Sequence, residues 1–126
     1  MITSSYKKLI IISITLLLFG CANNQGRWGN YSNELYTYYK SPTDEEKNEL
    51  LAELVKIFKT AEKNGASPPP GLYAEYGTFL YERGDYPGAI NYYTKEKNSW
   101  PDSTHYMNAL INALSSQMQN NNKENS

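Results

Sequence analysis

From Trp28 onward, apolar residues recur every three to four positions, and Pro and Gly divide that recurrence into about five segments, none with the alternation of a half-buried strand. The first, about Trp28 to Tyr39, spaces Trp28, Tyr31, Leu35 and Tyr38 along one helical stripe before Ser41-Pro42 ends it. The second is the clearest. Thr43-Asp44-Glu45-Glu46 reads as a capping box with acids at the positive end of the helix dipole. Leu50, Leu51, Leu54, Val55, Ile57, Phe58 and Ala61 then fill a broad face, while Glu49, Glu53, Lys56, Lys59 and Lys63 line the other, until Asn64-Gly65 stops the helix. Pro68-Pro69-Pro70 is a stiff connector whose last ring can open a third helix. A fifth segment, Thr104 to Met118, carries Tyr106, Met107, Leu110, Ile111 and Leu114 on one stripe and covers the open end of the preceding pair. The expectation is an all-α domain over residues 28–118, built from short antiparallel helix pairs. After it, residues 119–126 hold no apolar group whose burial could offset ordering, so a disordered tail is expected.

The start of the chain has a different pattern. Lys7 and Lys8 precede an apolar run from Leu9 to Phe19, broken only by Ser13 and Thr15. That run falls short of the ~20 residues a permanent span needs and fits the core of a signal peptide. It ends in Leu18-Phe19-Gly20-Cys21, which resembles the lipobox of bacterial lipoproteins, although Phe19 stands where a smaller residue is usual. Residues 1–20 are thus expected to be removed and Cys21 acylated. With several acyl chains on one residue, each buried methylene adding about 0.8 kcal/mol, the anchor would be stable. Ala22 stands where an Asp would mark retention at the inner membrane, so the expected address is the outer membrane, facing the periplasm. Residues 21–27 read as a short polar tether.

A second resemblance lies in the middle of the chain. Tyr73, then Gly77 four later, Leu80, a Gly84-Asp85-Tyr86 turn, Ala89, Tyr93 and a closing Pro101 resemble one tetratricopeptide repeat. In that pattern Gly77 and Ala89 allow close helix approach and Gly84 makes the turn. Glu96 departs from it, occupying a site where the repeat usually has alanine. A charge there is costly unless solvated or paired, with Lys97, Arg83 or a tyrosine hydroxyl as the expected partner. The string Pro70-Gly71-Leu72-Tyr73-Ala74-Glu75-Tyr76-Gly77, with Glu96-Lys97 and Trp100-Pro101-Asp102-Ser103, is similar to a family of small uncharacterised lipoproteins of Gram-negative bacteria. Members are often encoded beside a lipoprotein like the curli secretion pore. The resemblance implies a role in an outer-membrane assembly, with such a pore-like lipoprotein as partner, and assigns no activity to any residue.

Composition removes several alternatives. Deleting residues 1–20 lowers the 12 basic residues to 10 against 13 acidic ones, which leaves no basic footprint for nucleic acid. One cysteine and one histidine exclude a disulfide framework and an ordinary zinc site within the chain. His105 has no serine and acid arranged around it. Glu75 and Glu96 could in principle form a carboxylate pair for glycoside hydrolysis, for which separations of roughly 5 to 9.5 Å are used, but nothing in the sequence shows that they converge. No cofactor or small-molecule substrate is expected.

The 12 tyrosines are too many for the inner helix faces, so some must reach the surface, where tyrosine buries large area at low entropic cost. A partner-binding patch at Tyr73, Tyr76, Tyr81 and Trp100 is the expectation. The function that follows is a non-catalytic protein-interaction module, or accessory factor for an envelope pore or secretion assembly. The alternative is a peptidoglycan-associated protein, either an activator of cell-wall synthesis or a weak glycan-active enzyme.

Overall fold

The computed structural model describes residues 25–124. Cys21, the expected signal peptide and the first part of the expected tether lie outside those residues, as do 125 and 126. The described chain is all helical in its regular elements: α1 (Gln25–Trp28), α2 (Tyr31–Lys40), α3 (Asp44–Lys63), α4 (Leu72–Glu82), α5 (Tyr86–Ser99), a 3-10 turn (Pro101–Ser103) and α6 (Thr104–Glu124). Consecutive helices pack as α2 on α3, α4 on α5 and α5 on α6, with a narrower seam between α3 and α4. No described helix is long and apolar enough to cross a membrane.

Local chemistry sets the boundaries. Thr43 Oγ1 accepts from Glu46 N at 3.2 Å and opens α3, whose first turn holds Asp44, Glu45 and Glu46. Only half of the capping box forms, because the Thr43 amide donates to Ser41 O. Gly65, at φ +62°, turns the chain out of α3. Asp85 caps α5 by accepting from Gly88 N at 2.9 Å, and Gly84, at φ +80°, makes the tight connection from α4. The end of α5 is closed by Ser103 Oγ, which donates to Trp100 O as the 3-10 turn leads into α6.

Two apolar clusters hold the helices. In the first, Leu50, Leu51, Leu54, Ile57 and Phe58 of α3 meet Leu72 and Phe79 of α4, with Trp28, Tyr31, Leu35 and Tyr38 closing over them. In the second, Ala89 and Tyr93 of α5 meet Met107 and Leu114 of α6, with Ala74 and Leu80 of α4 alongside. Helix α4 therefore serves both, which makes it the central element of a small domain. Near its end, Lys47 Nζ of α3 pairs with Glu82 Oε2 at 2.7 Å and lies 5.0 Å from the centre of the Phe79 ring.

Three expectations need correction. Residues 25–27 are not tether: α1 begins at Gln25, and Arg27 Nη2 donates to Ser67 O at 2.9 Å, fastening this hook to the proline connector. The expected disorder from 119 on fails through Glu124, because α6 continues; adding residues to an existing helix avoids the nucleation cost. Glu53, placed by its spacing on the polar face of α3, is buried at 8% exposure. Its Oε1 accepts from Asn30 N at 2.7 Å and its Oε2 from Lys56 Nζ at 3.1 Å, so the carboxylate satisfies the chain where it enters α2.

That contact constrains Gly29, which sits at φ +51° and whose added Cβ would lie 2.3 Å from Glu53 Oε1. Gly29→Ala combines left-handed strain with a clash and should cost about 2 kcal/mol. Urea unfolding of this variant beside Gly26→Ala, where a Cβ meets nothing within 4 Å, measures the difference.

Candidate interaction site

The connector places the site. Pro68 and Pro69 are buried, and Trp100 Nε1 donates to Pro68 O at 3.2 Å, holding the chain against the end of α5. Gly71 then caps α4 at φ +91°, and its amide donates to Glu96 Oε1 at 2.7 Å. Glu96 is 2% exposed, so the expectation of solvent, Lys97, Arg83 or a tyrosine hydroxyl is corrected: its partner is the backbone at the positive end of α4. Its Oε2 has no hydrogen-bond partner among the described residues.

With the start of α4 fixed, Tyr73 and Tyr76, three residues apart, reach the same neighbours. Phe58 of α3 lies 4.6 Å from Tyr73 and 5.6 Å from Tyr76, centre to centre. Tyr92 of α5 lies 4.5 Å from Tyr76, 5.8 Å from Phe58 and 6.0 Å from Tyr73. The rings meet at tilts of 37° to 80°, the offset and edge-on geometry aromatic groups prefer. Lys95 Nζ stands 4.8 Å from the Tyr92 centroid and 5.8 Å from that of Tyr73. Tyr73, Tyr76 and Tyr92 are half-buried. Their hydroxyls make no hydrogen bond within the described residues, unlike those of Tyr31, Tyr86 and Tyr93. Burial, followed by the nearby charges of Glu62 and Glu96, raises the Tyr73 phenol above its ordinary value, and burial raises Tyr92, so both stay neutral near pH 7. In front of this cluster lies an open groove of about 430 Å³, lined by Phe58, Lys59, Glu62, Tyr73, Tyr92 and Lys95 together with Val55, Ala66, Asn98 and Ser99.

The four residues expected to share a patch do not do so. Tyr73 and Tyr76 belong to the cluster. Tyr81 is exposed at the far end of α4 and stacks on Tyr86 at 5.8 Å, while Trp100 is committed to the connector. The residue missed was Tyr92. Its neighbour Tyr93 points to Gly77, and the 100° step of a helix turns Tyr92 toward α3, a signal the repeat pattern already carried.

The repeat residues form the joint beneath. A Cβ on Gly77 would meet Tyr93 Cε1 at 2.9 Å and Ala89 O at 3.2 Å, while Leu80 packs against the cluster of Ala89 and Tyr93. Tyr93 Oη shares a hydrogen bond with Thr78 Oγ1 at 3.1 Å. Pro101 opens the 3-10 turn.

The carboxylates have separate duties. Tyr31 Oη donates to Glu75 Oε2 at 2.5 Å, tying α2 to α4, whereas Glu96 serves Gly71. Neither acid lines the aromatic groove or the pocket bounded by Arg27, Glu53, Lys56 and Pro68. Among the described residues no cluster of His, Cys, Asp and Glu could hold a metal ion, and His105 is exposed on the first turn of α6.

Burial raises the Glu75 carboxyl above its ordinary 4.5, against the opposing effect of the Tyr31 hydrogen bond. The folded state then binds more protons than the unfolded chain just above that value, so stability falls as pH rises through the window. Glu75→Gln keeps an acceptor for Tyr31 but does not titrate. Thermal melts from pH 4 to 7 should show wild type losing ground relative to Glu75→Gln as pH increases, and parallel curves would refute the assignment.

A family model described as a domain of unknown function (DUF4810) matches residues 27–110. The chain belongs to that family. The matched span begins at the hook residue Arg27, takes in both helix pairs and the whole aromatic groove, and ends within α6. No curated protein and no solved structure matches the chain.

Proposed function

We propose that this chain is an outer-membrane lipoprotein, anchored through Cys21, whose helical domain is a non-catalytic interaction module assisting an envelope pore or secretion assembly. The observation that carries the reading is the aromatic groove: Tyr73 and Tyr92, half-buried with unbonded hydroxyls, line it from two helices together with Phe58, and Tyr76 packs against them. Such surfaces suit protein contacts, since each ring offers large area and a polar tip while losing little rotamer freedom. The repeat-like pairing of α4 and α5 supports it, because paired helices of that kind present a shaped face to a partner. The resemblance to a lipobox supports the proposed address, and the gene neighbours implied by the family resemblance support the proposed kind of assembly.

The test is crosslinking and recovery of the lipidated protein from native envelopes, with Cys21→Ala as the anchoring control. Recovery of a pore-like lipoprotein, lost in Cys21→Ala, is the expected result. Recovery of only sacculi or cell-wall synthases would replace this reading with the peptidoglycan one.

A further inference from the structure

We propose that the groove between α3, α4 and α5 takes an extended acidic polypeptide segment, with an aromatic or proline side chain against Tyr73 and Tyr92 and a carboxylate beside Lys59 and Lys95. The inference rests on the interaction-module reading and names the chemistry of the partner.

Three features of the lining select this occupant. First, the groove is rich in donors: Lys59, Lys95, Asn98, Ser99 and the hydroxyls of Tyr73 and Tyr92 surround an apolar floor, while Glu62 is its one acid. Such a surface is completed by a ligand rich in acceptors, as an extended backbone with carboxylate side chains is. Second, neither lysine is spoken for. The carboxylate ion pairs among the described residues go to Lys47 and Lys56, so Lys59 and Lys95, the latter over the Tyr73 and Tyr92 rings, are without an ion-pair partner and outnumber the one acid of the lining, Glu62, in a chain whose formal charge is -1. Third, the rings are inclined to one another, at 52° for Tyr73 and Tyr92 and 46° for Tyr76 and Tyr92, and Lys95 stands over two of them. A side chain can pack across the rims of Tyr73 and Tyr92 at the groove while its neighbouring carboxylate meets the ammonium. The pocket near Arg27 differs, because Arg27 is bonded to Ser67 O and Lys56 to Glu53.

The probe is a fluorescein-labelled hexapeptide, Gly-Phe-Glu-Pro-Phe-Glu, titrated against the full chain by anisotropy, beside versions with Gln or Lys in place of both Glu residues. The acidic peptide should bind saturably, the Gln version about tenfold more weakly and the Lys version not at all. Lys95→Glu and Lys59→Glu, both at exposed positions, should each weaken binding about tenfold or more with an unchanged helical spectrum. Lys40→Glu, on α2, should not change it. Equal binding of the Gln or Lys peptide, indifference to Lys95→Glu, or no saturable binding would overturn the proposal. If the peptide fails while the envelope crosslink still recovers a pore-like lipoprotein, the acidic-segment inference falls and the module reading stands. If soluble peptidoglycan fragments bind instead and lose affinity in Lys95→Glu, both fall.

Discussion

Leu54→Ala should destabilise the domain by about 3 to 4 kcal/mol, the range for truncating a fully enclosed leucine. Leu54 is 0% exposed and belongs to the cluster joining α3 to Leu72 and Phe79 of α4. The loss combines the transfer free energy of the missing carbons with a cavity that rigid helix backbones fill only in part. A domain of this size has roughly 5 to 15 kcal/mol in total, so the variant should unfold at markedly lower urea. Val55→Ala is the internal comparison: Val55 is adjacent in sequence but half-buried at the groove, and its truncation should cost under about 1 kcal/mol. Equal midpoints for the two variants would show that α3 does not carry the core through this face.

Gly77→Val should have an effect of similar size for the opposite reason. A Cβ there already falls 2.9 Å from the Tyr93 ring and 3.2 Å from the Ala89 carbonyl, and valine adds two methyl groups. Tyr93 is 3% exposed and held to Thr78, and a backbone carbonyl cannot rotate aside, so the space must come from separating α4 and α5. Overpacking of this kind costs about 3 kcal/mol, against which the better helix propensity of valine offers under about 1 kcal/mol. The same displacement would move Tyr73 and Tyr76 away from Tyr92. Gly77→Ala, milder in stability, should therefore already change the groove, visible as altered near-ultraviolet tyrosine dichroism in a folded protein. A Gly77→Val variant as stable as wild type would refute the close approach.

These two residues also show what the amino-acid pattern could reveal. Leu54 was legible from helical periodicity, and the junction at Gly77 from its place between Tyr73 and Leu80. Both are local signals, one turn or one hairpin in reach. Glu53 was misplaced because its partner is the amide of Asn30, which no spacing within α3 can reveal. Glu96 was marked as anomalous, yet its partner at Gly71 depends on how the proline connector folds back. Trp100 shared its fate, being drawn to Pro68 O. The aromatic cluster was half legible: Tyr73 and Tyr76 share a face of α4, whereas Phe58 and Tyr92 join them only through the packing of three helices. The extension of α6 went unread because Asn and Gln are poor signals of order, although each can prolong a helix that packing has already nucleated.

The groove is proposed as the place where an envelope partner docks. Its most direct test places a photocrosslinking amino acid at Asn98, on the exposed rim of the groove, and at Ala113, on the exposed face of α6, in the full chain in living cells. A discrete crosslink is expected from position 98 to an acidic, aromatic-bearing segment of one envelope protein, absent from position 113 and lost when Lys95→Glu is added. Crosslinks that form only from position 113, or from position 98 to glycan strands, would contradict it.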